Sequence, residues 1–307
     1  MYSSRVLDSM EESTLVETVD PEEVYSILSD VNRIGILRAL WEADGHQASF
    51  SELRAAVGMR DSGKFNYHLG KLTSRFVRKT ADGYELRTAG MHVIGAILAG
   101  GYTVSGSIEP IPIDDPCPQC SSRLWFTYED ERVAVDCEEC FFSTTFPVPP
   151  GAFIGYELGE LPEASMRYLR SKVCKLLAGF CSLCEGSMEI SITSLGTYSE
   201  EPVPVELEGY PVVRFECNRC ESTHQLGLNA VLLEHPAVIS FYYDHGIDVR
   251  RVPIWHGDML VFNEHEDTFG VHQEPASGTV TFHTEDEYLR LTVDESLEVI
   301  EVDKSSR

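Results

Sequence analysis

Positive charge is what this chain has least of. Fifty acidic side chains face 24 basic ones, only six of them lysine, and the formal net charge is −26 over 307 residues. Such a charge favours solubility and says little about fold. A lysine-poor, acidic surface suits a cytosol of very high salt; by itself it argues against nucleic-acid binding. Long apolar runs are also missing. The longest, near Val93–Ala99, falls far short of the roughly 20 residues that span a bilayer. The N-terminus is polar and acidic, without the apolar core of a secretory signal. A cytoplasmic protein with no membrane association is expected.

The motifs of a zinc enzyme are missing too. No H-E-x-x-H spacing occurs. Five late histidines, His245, His256, His265, His272 and His283, lie near Asp244, Asp258 and Asp267 without ligand spacing; they read as scattered surface residues. Gly58–Lys64 matches G-x-x-x-x-G-K, but Phe65 stands where a phosphate-binding loop needs Ser or Thr, and a helix precedes it. No enzymatic activity is expected.

Cysteine is abundant and patterned. Eight of nine form two C-x-x-C … C-x-x-C quartets. Cys117, Cys120, Cys137 and Cys140 have 16 residues between their halves; Cys181, Cys184, Cys217 and Cys220 have 32. Paired thiols in an unexported chain argue for metal rather than disulfides. Four thiolates suit tetrahedral zinc, and a shell of four leaves no open position for water or substrate. Two structural zinc sites are therefore expected, with a zinc or redox sensor as a lesser alternative. Cys174, on an amphipathic stretch, reads as a buried core residue.

The charge is unevenly spread. Residues 1–20 sum to −4 and residues 101–307 to −23, whereas residues 21–100 hold ten basic and nine acidic side chains. This balanced segment reads as four helices, a hairpin at Asp82-Gly83 and a closing helix. Val24, Ile27, Leu28 and Val31 form the first buried stripe. Asp30 opens a second helix, and Ser49-Phe50-Ser51-Glu52 is a capping box. Phe65, Leu69, Leu72 and Phe76 mark the inward face of the fourth helix. From Ser62 to Lys79 there are five basic side chains and no acid. Lys64, Lys71 and Arg75 suit phosphates; Ser62, Asn66, Tyr67 and His68 lie where base edges or backbone come within reach; Arg78 and Lys79 sit on the hairpin.

Val24–Leu40 (VYSILSDVNRIGILRAL) and Ser62–Leu72 (SGKFNYHLGKL) resemble the first helix pair and the recognition helix of ArsR-type winged helix-turn-helix regulators, in the form of haloarchaeal relatives. The resemblance covers about residues 20–100. It implies a homodimer that docks on palindromic double-stranded DNA. The metal-sensing members carry cysteines around that helix, and this segment has none, so metal sensing does not carry over to it.

The expected organisation is α+β: a mobile acidic leader (1–19), a winged helix-turn-helix (20–101), a linker (102–115), a first zinc ribbon (116–160), a helix plus second zinc ribbon (161–235), and a small β-rich C-terminal region (236–307). The expected function is DNA-binding transcriptional regulation, with the acidic remainder as an effector or assembly module that takes a protein partner. The alternative is an adaptor resembling general transcription factors, bridging polymerase and promoter.

Overall fold

The computed structural model describes residues 19–197, 203, 207, 209–255, 269–273, 276–284 and 286–306. Apart from Val19 and Val203, the expected leader and an acidic loop at Tyr198–Pro204 lie outside the described residues, as do His256, His265, Asp258 and Asp267. The chain divides into two compact units, Met1–Ser105 and Gly106–Arg307.

Local capping sets the helices of the first unit. In α1 (Pro21–Leu28) proline takes the first position and Asp20 accepts from the Glu22 amide. Asp30 caps α2 (Val31–Glu42), a reciprocal Ser49–Glu52 box opens α3 (Phe50–Ala56), and Asp61 caps α4 (Ser62–Leu72). A short strand β1 (Gln47–Ala48) joins β2 (Val77–Lys79) and β3 (Tyr84–Leu86) in an antiparallel sheet of order β1-β3-β2. The last helix, α5 (Thr88–Ala99), ends at Gly100 in the left-handed region, φ 80°. Ile36, Leu37, Leu40, Leu53, Phe65, Leu69, Leu72 and Ile94 fill the core.

The first helix departs from expectation. Val24, Ile27 and Leu28 are only half-buried, and Val31 is 82% exposed. The chain breaks between Ser29 and Asp30, so Val31 begins a new helix and leaves the stripe of the old one.

The second unit starts earlier than the expected linker allows. Residues 108–116 form strand β4 (Ile108–Pro116), paired with β5 (Arg123–Glu129) and followed by β6 (Arg132–Cys137) and β7 (Ser143–Pro147) in an antiparallel meander. Three prolines in β4 hid it, yet an edge strand tolerates their missing donors. Leu124, Phe126, Val133, Val135 and Phe146 form the inner layer. Helix α6 (Leu161–Leu177) runs from this core, which holds Leu161 and Met166, to a second that holds Leu176.

That second core is shared. It combines Val213 and Phe215 of β9 (Pro211–Cys217) with Leu228 and Val231 of α7 (Leu228–Leu232) and Val238 and Phe241 of α8 (Pro236–Asp244). The β9 neighbours are β8 (Met188–Ser194) and β10 (Thr223–Gly227), in the order β10-β9-β8. A four-stranded antiparallel sheet, β11 (Phe269–Gln273), β12 (Ala276–His283), β13 (Glu287–Asp294) and β14 (Val299–Ser306), adds Val280, Phe282, Leu289, Leu291 and Val293. The expected β-rich C-terminal region therefore has no core of its own, and its start is helical. Pro236 at the first helical position and Val238, Phe241, Tyr242 at i, i+3, i+4 carry that helix signal. Trp255, fully buried, packs in the first core instead.

Gly90 in α5 is needed for close approach. A Cβ there would lie 2.6 Å from both the Phe76 carbonyl oxygen and Leu86 Cδ1. Alanine gains about 1 kcal/mol in helix propensity, but the clash with a fixed carbonyl costs about 1–3 kcal/mol. Gly90→Ala is expected to lower the unfolding midpoint of the first unit, measured by thermal denaturation.

Candidate metal centres and a basic helix face

Each C-x-x-C segment folds into the same turn. The amide of its first cysteine donates to the carbonyl five residues on: Cys117 to Ser122, Cys137 to Phe142, Cys181 to Gly186 and Cys217 to Ser222, at 2.7–3.0 Å. The amide two residues after that cysteine donates back to its sulfur, from Gln119, Glu139, Leu183 and Arg219. In three turns the residue after the second cysteine is left-handed: Ser121 (φ 60°), Glu185 (62°) and Glu221 (59°). Both thiols of a turn thus point to one side, and amide dipoles converge on one sulfur.

Hairpin pairing then brings the turns together. Cys117 Sγ lies 3.5 Å from Cys140 Sγ, and Cys120 Sγ 3.4 Å from Cys137 Sγ. In the second cluster Cys181 and Cys220 are 3.7 Å apart and Cys184 and Cys217 3.5 Å. All four sulfurs of each cluster fall within 4.8 Å of one another, a geometry that can hold a metal ion. All eight expected ligands are present, four to each cluster.

Burial and hydrogen bonding set the thiols of a cluster apart. The Ser122 hydroxyl and amide hold the Cys120 thiol down, to about 6. Burial pushes Cys140 and Cys184 up to about 12. Burial also raises Cys181, but the Ser222 hydroxyl and the amides of Cys184 and Leu183 outweigh it and bring it to about 6. A metal must displace protons from the raised thiols, so its affinity for both clusters falls as pH falls.

Sequence reasoning missed the serines. Ser222 Oγ lies 3.4 Å from Cys181 Sγ and 3.2 Å from Cys220 Sγ. Ser122 and Ser222 occupy the same offset, five residues after the first cysteine of a turn. That repetition is the signal that marks them. Hydroxyls placed so stabilise thiolate charge from outside the ligand shell. Cys174 belongs to neither cluster and is exposed rather than buried, because on α6 it is turned about 100° from the buried Val173 and about 160° from the buried Leu176.

On α4 the basic stripe is real but smaller than expected. Ser62, Lys64, Asn66, Tyr67 and Lys71 are exposed; Arg75, expected on this helix, lies three residues past its end and is half-exposed. Lys71 Nζ stands 5.8 Å from the Tyr67 ring centroid. On the hairpin Lys79 is exposed, while Arg78 pairs with Glu85 at 2.6 Å. Lys64, Lys71, Arg75 and Lys79 have no ion-pair partner among the described residues. His68 does not belong to this stripe. It is 4% exposed, with Nδ1 3.6 Å from Asp30 Oδ2. At 100° per residue it lies only about 60° from Phe65, inside the buried arc, whereas Lys64 and Lys71 lie about 100–120° away.

These features define an α+β protein with two four-cysteine clusters of metal-binding geometry. Residues 114–299 match the model of a family described as a domain of unknown function (DUF7351), and the chain belongs to that family. Residues 21–97 match a second model, also described as a domain of unknown function (DUF7347). No curated protein and no solved structure matches the chain. No helix among the described residues is long and apolar enough to cross a membrane.

Gly186 guards the second cluster. A Cβ there would sit 2.7 Å from Arg219 Cβ, 3.1 Å from Cys217 Sγ and 3.2 Å from Cys184 Sγ. Gly186→Ala is expected to make the second cluster surrender its metal first under a competing chelator, with the first cluster unchanged. Metal-to-protein ratios along the chelator titration check this.

Proposed function

We propose that this chain is a DNA-binding transcriptional regulator in the cytoplasm. Its first unit acts as a winged helix-turn-helix of the ArsR type, with α4 in the major groove and the β2–β3 hairpin as the wing. One observation carries the reading. In a chain of net charge −26, four cations without an ion-pair partner among the described residues fall within sixteen positions: Lys64 and Lys71 on the exposed side of α4, Arg75 in the turn after it and Lys79 on the hairpin. Cations on an exposed helix side suit phosphates, which bind through released counterions. Asn66 and Tyr67, exposed beside them, would face base edges. A solvated surface helix would carry mixed signs; this one carries a single sign where its surroundings carry the other. The resemblance of Val24–Leu40 and Ser62–Leu72 to that family adds a homodimer on a two-fold operator, with half-sites about one helical turn apart.

Both cysteine clusters hold zinc on this reading. Zinc–sulfur bonds of about 2.3 Å place tetrahedral sulfurs about 3.8 Å apart, close to the 3.4–3.7 Å of the paired thiols. Four thiolates close the shell, so the metal braces the fold and performs no catalysis. The acidic second unit repels DNA and serves as the effector or assembly module, taking a protein partner.

Two measurements test this. Lys71→Ala combined with Arg75→Ala should weaken binding to duplexes selected from a random pool by about tenfold or more. It should also flatten the salt dependence of log K by about 2; unchanged affinity at matched salt refutes α4 as the DNA-contacting helix. Elemental analysis should find two zinc ions per chain, and Cys117→Ser should leave about one.

A further inference from the structure

The face of the β11–β14 sheet turned away from the shared core carries a polar cavity of about 420 Å³. That volume is in the range of small-molecule sites. Strand alternation explains its lining: Val280, Leu291 and Val293 point into the core, so Thr279, Arg290 and Thr292 point the other way. Two cross-strand rows run across this face, Thr279–Thr292–Glu301 and Thr281–Arg290–Asp303; all but the buried Thr281 line the cavity, together with His272, Ser277 and Ile300.

Arg290 and Asp303 are fixed by neighbours, while Glu301 is exposed. Arg290 Nε donates to Thr281 Oγ1 at 3.2 Å, and the guanidinium lies 5.8 Å from the Tyr288 ring centroid. Tyr288 in turn donates to Asp303 Oδ2 at 2.9 Å. Thr279 and Thr292 hydroxyls bond to each other at 3.0 Å. The terminal nitrogens of Arg290 and the carboxylate of Glu301 make no hydrogen bond or ion pair among the described residues. They stand on diagonal positions of neighbouring strands, a spacing of about 7–8 Å between backbones. Thr292, directly opposite Glu301 and two residues from Arg290, occupies one corner between them, and Asp303, directly opposite Arg290, occupies the other.

We propose that this cavity binds a small zwitterion, a free α-amino acid or a close analogue. Its carboxylate lies on the fork of Arg290, its ammonium on Glu301, and Thr292, beside both in the register, offers its hydroxyl. A simple anion meets repulsion from Glu301 and Asp303. A simple cation satisfies Glu301 but leaves the fork of Arg290 unmet. Only a ligand bearing both charges satisfies both free groups at once. The site gives the second unit a ligand-responsive surface, and the inference stands independently of the DNA-binding reading.

The test is isothermal titration of the full chain with each standard amino acid, with acetate, ethylammonium and glucose as controls. At least one amino acid should bind while none of the controls does at the same concentration. Arg290→Gln and Glu301→Gln should each raise its Kd by about tenfold or more, with the thermal unfolding midpoint unchanged. Should Arg290→Gln fail to fold, Glu301→Gln decides alone, because Glu301 is exposed and holds nothing in place. Binding of no amino acid overturns the proposal. So does equal binding of a single-charge control or of glucose, or a Kd that the folded variants leave unchanged.

Discussion

Eight cysteine sulfurs crowd into two small volumes, and the second unit is arranged around keeping them there. A sulfur cluster is unfavourable without a cation, since one thiolate opposes the next and burial opposes each. The turns lessen that conflict before any ion arrives. Every one closes on its own backbone through an amide donated five residues forward, and returns an amide to a sulfur. Three of the eight, Cys117, Cys181 and Cys217, are buried, and the core of the first sheet is built directly onto its cluster through Cys117, Cys137 and Cys140. Loss of one sulfur would open a turn and the apolar layer beneath it.

Packing of the second unit follows from these two anchors. Each hairpin offers one apolar face and has too little of it to stand alone. Helix α6 covers the first with Leu161 and Met166 and reaches the second with Leu176. A half-buried pair, Arg170 with Glu234 at 2.6 Å, and a further Arg170 bond to the Val249 carbonyl tie that helix to the chain after α7. The C-terminal sheet completes the second core. One of its faces is spent on that core, and the other is free to carry the polar cavity with Arg290 and Glu301.

Much of the architecture is legible in the residues alone. Caps at Asp20, Asp30, Ser49 and Asp61 mark helix starts because each supplies an acceptor to an orphan amide. The C-x-x-C spacing marks the ligands because two sulfurs at that offset reach one side of a turn. The misses share a cause. His68 sits three residues from Phe65, and counting stripes without weighing the width of the buried arc put it outside. Prolines concealed β4, since an edge position excuses them only when the neighbouring strand is known. Cys174 was assigned by its helix rather than its face of that helix.

The amino-acid sequence by itself determined the helix caps, the metal-ligand pattern and the separation of a charge-balanced segment from an acidic remainder. These depend on residues at most a few positions apart, or on composition. Tertiary structure alone decided which hydroxyls reach the sulfurs, that the C-terminal strands share a core with the second hairpin, and that Arg290 and Glu301 line one cavity without an ion-pair partner among the described residues. Those facts rest on strands far apart in the chain meeting in a particular register, and no local pattern encodes that register.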